Sequence, residues 1–373
     1  MRAAPLPRPA VAALPAYRPG RSAGMAMVDH GLSSAVKLAS NELPLDPLPS
    51  VAKALEAAVP SVNRYPDHLA TELRAALAER LAVGRDRVAV GCGSVGLLQQ
   101  LALAFTGPGD EVVYGWPSFE AYPVFTALAG ATAVAVPLCA QTLDAEAIVA
   151  AVGPRTRLVL LANPNNPTGT ALRTGELEAI ADALPHGCLL VLDEAYREFV
   201  TDTDVPDGLA LLGHRPDVAV LRTFSKAHGL AALRIGYLVA DPEVVVAVDK
   251  VLVPFAVNGL AQAAALASLA APEELADRVV GVVAERGLVV EALRRTGWWV
   301  PDAQANFVWL PAGASAEPLA VGLERAGVVT RGFADLGVRV TIGASAENDR
   351  FLEAFATVAA RVGAAEQWAA AER

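Results

Sequence analysis

RLVLLANPNNPTG, residues 157–169, sets an unbroken apolar run against a cluster of turn-forming residues. A short run that is apolar at every position, closed by Pro, Asn and Gly, reads as a strand buried on both faces. Such strands belong to parallel sheets covered by helices. Similar runs occur at RVAV (87–90), EVVYG (111–115), ATAVAVPL (131–138), CLLVLDEAY (188–196), VAVLRTF (218–224) and RIGYLVA (234–240). Helical patterns fill most of the gaps. The expected fold class is α/β, with a mostly parallel seven-stranded sheet between helices. RTF-SKAHGLAAL-RIGY leaves only a short connection, which lets the last two strands pair antiparallel. After about residue 260 the pattern changes. A long helical stretch (260–296) leads to NFVWL (306–310), a helix, VVTRGF (328–333), GVRVTIG (337–343) and a last helix. That reads as a smaller α+β domain. The division expected is 1–40 as an N-terminal arm and part of the small domain, 41–258 as the large domain, and 259–373 as the small one.

Composition agrees with a large core: 54% of the 373 residues are hydrophobic. Two uncharged windows, 121–143 and 251–272, are long enough to raise the question of a membrane span. Each is interrupted, the first by Pro123, Gly130 and Pro137, the second by Pro254, Asn258, Gly259 and Gln262. A spanning helix needs roughly 20 predominantly apolar residues in one element. We read the first window as helix, turn and buried strand, and the second as a loop entering a helix. AVAALPA near the N-terminus is too short for a secretory h-region. Cys92, Cys139 and Cys188 are widely spaced, which fits a reducing compartment and neither a disulfide framework nor a zinc site. The expected location is the cytoplasm. A net charge of −10 argues against nucleic acid. It also means that an anionic substrate needs a local cationic pocket.

GCGSVG (91–96) fits the spacing of a dinucleotide fingerprint. That fold needs an acidic residue about 20 positions on, at the end of the second strand. Asp110 and Glu111 stand at the beginning of that strand instead. What survives is general: a glycine turn opening a helix aims free N–H groups and a dipole at an anion, and Ser94 adds a hydroxyl. Three further stretches, NPNNPTG (163–169), VLDEAY (191–196) and TFSKAHGLAALR (223–234), each lie at the C-terminal end of an expected strand. Open α/β sheets bind ligands there. Lys226 is one of only four lysines. It reads either as a surface lysine or as a Schiff-base lysine, whose amine must lose its proton; desolvation and nearby cations favour that loss. Asp193 ends an apolar strand, either as a turn aspartate or as a buried carboxylate that requires a cationic partner.

KLASNE (37–42), NRYP (63–66), GCGS (91–94), NPNNPTG, DEAY (193–196), SKAHGLAALR (225–234), QANFVWLP (304–311) and RVTIG (339–343) occur in that order. With them the chain resembles pyridoxal-phosphate aminotransferases of fold type I, in the histidinol-phosphate and aromatic aminotransferase branch. The resemblance runs from about residue 37 to 357. It implies pyridoxal 5'-phosphate as cofactor, held by Lys226 as a Schiff base, with Asp193 facing the pyridine nitrogen. It implies Asn166 and Tyr196 at the ring hydroxyl, Phe119 stacked on the ring, and Gly93, Ser94, Ser225 and Arg234 around the phosphate. Tyr65 matches a tyrosine that reaches the phosphate from a second subunit, so a homodimer is implied. Arg339 matches the arginine that clamps the substrate's acid group. Arg331 is expected in the same pocket, or else on the surface, and Tyr17 in a segment that folds over the substrate.

GCGSVGLLQQL, GDEVVYGWPSFEAYP and the compact stretch from Arg331 to Arg339 look most like the aromatic amino acid aminotransferases. The implied reaction moves an amino group from phenylalanine, tyrosine or tryptophan to 2-oxoglutarate. The alternative donor is L-histidinol phosphate. A decarboxylase or a specialised biosynthetic transaminase on the same scaffold also stays open, as does a non-catalytic regulator. Such regulators carry a DNA-binding module, for which the short N-terminal arm leaves no room. Departures from the usual pattern are NELP (41–44), His228, Ala232 and VNGL (257–260). His228 reads as a packing residue.

Overall fold

The computed structural model describes residues 6–14 and 20–362. All seven expected strands form one sheet: β2 (Val88–Gly91), β3 (Glu111–Trp116), β4 (Thr132–Pro137), β5 (Thr156–Ala162), β6 (Leu189–Asp193), β7 (Val218–Thr223) and β8 (Gly236–Val239). Their order is β2-β8-β7-β6-β5-β3-β4. Every pairing is parallel except those of β8, which runs against both neighbours. The chain therefore belongs to the α/β class.

Side chains alternate across the central strands. Val159 and Leu161, Leu190 and Leu192, and Val218 and Val220 enter one core. Leu158 and Leu160, Leu189 and Val191, and Ala219 and Leu221 enter the other. Two covered faces are why these strands read as continuous apolar runs. Each buried Val or Leu contributes about 1.5–3 kcal/mol. β4 departs from our reading of a buried strand. It is the outer strand of the sheet, and of its residues only Val136 is buried. Its apolar look comes from Ala133 and Ala135, which are exposed and small enough to cost little there. The rest of that window is as expected: helix Ala121–Ala129 ends at Gly130, whose φ of 82° a turn requires.

Beyond the large sheet, β9 (Phe307–Pro311), β11 (Arg331–Phe333) and β12 (Gly337–Thr341) form an antiparallel sheet ordered β11-β12-β9. Val308, Leu310, Val338 and Val340 enter its core with Phe351 and Phe355 of helix Ser345–Val362. Two single-element readings are split. The stretch 260–296 is two helices, Gly259–Leu269 and Pro272–Arg295, because Pro272 starts a new one. VVTRGF breaks at Thr330. Its first part, β10 (Val328–Val329), pairs in parallel with β1 (Val36–Lys37), and only its second part is β11. The β1 pairing continues through Leu38, which receives a bond from Thr341 N–H at 2.9 Å. The segment from Ala39 to Glu42 is thereby laid between the two sheets. Among the described residues no helix is long and apolar enough to cross a membrane.

Candidate active site

A cavity of about 270 Å³ opens at the C-terminal ends of β5, β6 and β7. Ser94, Phe119, Asn166, Asp193, Tyr196, Ser225, Lys226 and Arg234 line it from the large sheet's side, and Arg331 and Arg339 from the small sheet. Asp193 is the last residue of β6, which fixes its place in the cavity wall. The loop after β5 is pinned by its own bonds. Gly169 N–H donates to Asn165 O at 2.8 Å, and the Asn165 side chain bonds Thr168 and Ser118. That leaves Asn166 to face the cavity. The loop after β7 folds back on itself through Gly229 N–H to Lys226 O and Leu230 N–H to Phe224 O, both 2.9 Å. Arg234 thereby returns to within 3.5 Å of Ser225 Oγ.

The Lys226 amine donates to the carbonyls of Ser40 (3.3 Å) and Asn41 (3.2 Å). Burial lowers its pKa from 10.5 to about 7, and Arg339 and Arg234 add to the drop while Glu42 and Asp193 oppose it. Asp193 is raised to about 6, chiefly by burial. Its Oδ2 accepts from Tyr122 Oη at 3.3 Å. Its Oδ1 is buried with no hydrogen-bond partner among the described residues. An isolated buried carboxylate oxygen is costly, so a cationic N–H donor from a bound group fits this position. Tyr196 Oη accepts from Asn41 Nδ2 at 2.8 Å, and burial raises its pKa.

Gly93 opens helix Gly93–Phe105 with a φ of 71°, and a Cβ there would stand 2.7 Å from Arg234 Nη2. Across from it, a Cβ on Gly236 would lie 2.5 Å from Ser94 N. The helix N-terminus, Ser94, Ser225 and Arg234 thus form a close-packed cup of donors suited to a phosphate. Arg339 is buried and donates to Asn166 Oδ1 and to Ala39 O. Phe119 meets Tyr122 edge-on at 5.8 Å. The residues present fit pyridoxal phosphate: a low-pKa amine, a carboxylate with an open oxygen, and a phosphate cup.

Tyr65 is not brought to this cavity. It is 83% exposed and stacks on Phe255 with ring centres 4.5 Å apart. Tyr17 lies outside the described residues. Three residues that the motif reading left without a role belong to the site. Asn41 touches Lys226, Tyr196 and Thr341, and Tyr122 touches Asp193. Glu120 bonds Arg331. Asn41 stood inside KLASNE, and its φ of 54° is one that asparagine tolerates. The other two stand inside GDEVVYGWPSFEAYP, which the resemblance covered without giving either a role. The departures are absorbed locally. His228 is buried against Ser268 Oγ at 2.7 Å and does not line the cavity. Asn258 caps helix Gly259–Leu269 through Ala261 N–H. Ala232 is exposed and has no positive φ that would call for glycine.

The family profile described as aminotransferase class I and II matches residues 33–355. An aromatic amino acid aminotransferase of Thermobifida fusca is 56% identical over 351 residues, covering 94% of this chain and 96% of that protein. Another from Streptomyces avermitilis is 51% identical over 341 residues, covering 91% and 94%. Among solved structures, histidinol-phosphate aminotransferase of Sinorhizobium meliloti in complex with pyridoxal-5'-phosphate has a TM-score of 0.86 at 30% identity, covering 95% of this chain and 97% of that one. A single mutant of Thermus thermophilus aspartate aminotransferase has a TM-score of 0.80 at 26% identity, covering 96% and 100%. The chain belongs to the class I and II aminotransferases.

Proposed function

We propose that this enzyme transfers the amino group of phenylalanine, tyrosine or tryptophan to 2-oxoglutarate, using pyridoxal 5'-phosphate. The observation that carries the reading is a low-pKa amine, Lys226, in one cavity with Asp193, whose Oδ1 is unpartnered, and with the buried Arg339. The names of the relatives above half identity support the aromatic donor. Lys226 would hold the cofactor covalently, Asp193 its ring nitrogen, Asn166 and Tyr196 its hydroxyl, and Phe119 its ring face. Ser225, Arg234 and the N–H groups at Gly93 and Ser94 would hold its phosphate. When bound, pyridoxal phosphate supplies an electron sink for the bonds at the substrate α-carbon.

Arg339 binds the substrate carboxylate through a planar, always-charged guanidinium. Asn166 and Ala39 O orient that guanidinium. Lys226, whose pKa burial lowers, is poised to take the α-proton and return it once its nitrogen is released from the cofactor. Tyr65 would serve the cavity of a second copy, which its exposure and its place outside the lining of its own cavity support. Phe255, which stacks on it and is itself exposed, adds to an apolar surface suited to a homodimer contact. We keep the division into 1–40, 41–258 and 259–373, supported by a separate core under the small sheet, with helix Gly259–Leu269 crossing back to pack on the large sheet's core. We place the enzyme in the cytoplasm, on the three free cysteines.

Histidinol phosphate is the second donor to test. Arg331 stands directly opposite Arg339 in the small sheet, a doublet suited to a phosphate. Product analysis of the loaded enzyme with L-phenylalanine or L-histidinol phosphate, each with 2-oxoglutarate, decides between them. Phenylpyruvate and glutamate from the first alone support the aromatic reading. Turnover of histidinol phosphate alone would replace it.

A further inference from the structure

The register that sets Arg331 opposite Arg339 places two like charges where they repel. The chain treats the two differently. Arg339 donates hydrogen bonds to two neutral acceptors, Asn166 Oδ1 and Ala39 O. Arg331 Nη2 donates to both oxygens of Glu120, at 3.0 and 2.9 Å. Glu120 comes from the other side of the cavity, one residue after Phe119 and just before helix Ala121–Ala129. Both partners line the cavity. The Arg331 side chain is 19% exposed and that of Glu120 46%. The carboxylate is the end of the pair that leaves easily, and the guanidinium is the end that stays. Phe333 neighbours both arginines, its ring centre 5.8 Å from Arg331 and 5.9 Å from Arg339.

We propose that Glu120 is a specificity-determining residue: a resident carboxylate that competes for Arg331 and biases the site toward side chains ending in a ring over side chains ending in an anion. The inference rests on the substrate reading above and refines it. A ring carries no charge that competes for Arg331, so it can occupy the cavity with the Glu120–Arg331 pair closed. A second carboxylate, or a phosphate, that approaches Arg331 competes with Glu120 for the guanidinium and stays beside that negative charge. The penalty falls on the anionic tail alone. An exposed pair is worth little, so the bias from Glu120 should be roughly twofold to fivefold.

The test uses two unreactive acids that share one carboxylate: glutarate, which carries a second, and 3-phenylpropanoate, which carries a ring. Their dissociation constants are measured by calorimetry on the enzyme loaded with pyridoxal phosphate, for wild type, Glu120→Gln, Arg331→Gln and the double variant. Glu120→Gln should tighten glutarate relative to 3-phenylpropanoate by about twofold to fivefold. In the Arg331→Gln background that gain should largely vanish, because the contested group is gone. An unchanged ratio in Glu120→Gln would overturn the proposal, and so would an equal gain without Arg331. Binding of 3-phenylpropanoate reports separately on the substrate reading. If wild type binds neither acid, that reading fails and the inference falls with it. If both bind with an unmoved ratio, the inference alone fails.

Discussion

Lys226→Met keeps an unbranched stem and removes the amine, which isolates what the buried charge costs the fold. In the folded chain the amine titrates at about 7, against 10.5 ordinarily, mainly because it is buried. A cation with a lowered folded pKa destabilises the fold. The cost is complete below the folded value and disappears as pH rises from about 7 to 10.5. At about 1.4 kcal/mol per pH unit, the whole window corresponds to at most roughly 5 kcal/mol. Contact of the side chain with the open cavity screens part of this, so about 2–3 kcal/mol is expected. Denaturant unfolding of the cofactor-free proteins at pH 7 and pH 10 reads the difference. Lys226→Met should be the more stable protein at pH 7. The pH-dependent part of its advantage should fall below about 1 kcal/mol at pH 10. Packing gained by the methionine is the same at both pH values and drops out. An advantage that does not change with pH would refute the buried, low-pKa amine.

Other outcomes follow from the same geometry. Arg339→Ala should raise KM for the amino acid by about ten- to a hundredfold, the worth of a charged hydrogen bond, in steady-state assays. Asp193→Asn should weaken pyridoxal phosphate by a similar factor, read by spectral titration. Asp193 ionises at about 6, so wild type should also lose more cofactor affinity than Asp193→Asn between pH 7 and 5, as the carboxylate takes up its proton. Glu194 forms a buried pair with Arg222, Oε2 to Nη2 at 2.7 Å. Glu194→Ala would strand that guanidinium and should cost about 3 kcal/mol in urea unfolding, the low end for such a loss because Asp207 also contacts Arg222.

Much of the large sheet was legible because burial on both faces writes itself into sequence as uninterrupted Val and Leu. Small apolar residues mislead: Ala133 and Ala135 look like core and lie on the sheet's edge. A change of partner strand within one run is equally silent. Thr330 divides one apolar run between two sheets, and only the pairing of β10 with β1 across the chain reveals it. The cavity residues that carry motif identity, Lys226, Asp193, Asn166 and Arg339, converge as expected because each sits at or just beyond a strand end or in the facing small sheet. Glu120 and Tyr122 stand inside GDEVVYGWPSFEAYP and Glu194 inside DEAY, but no local pattern told what each would meet. Glu120 and Arg331 are 211 positions apart, and only the closed fold puts one against the other.

The most direct measurement is a single half-reaction. The enzyme loaded with pyridoxal phosphate is mixed with L-phenylalanine in the absence of any oxo acid, and phenylpyruvate is counted against enzyme sites beside Lys226→Ala. About one phenylpyruvate per site is expected, with loss of the bound cofactor's visible absorption, recovery of that absorption on adding 2-oxoglutarate, and no product from the variant. Product from Lys226→Ala at the wild-type rate, or none from wild type with its cofactor bound, would contradict it.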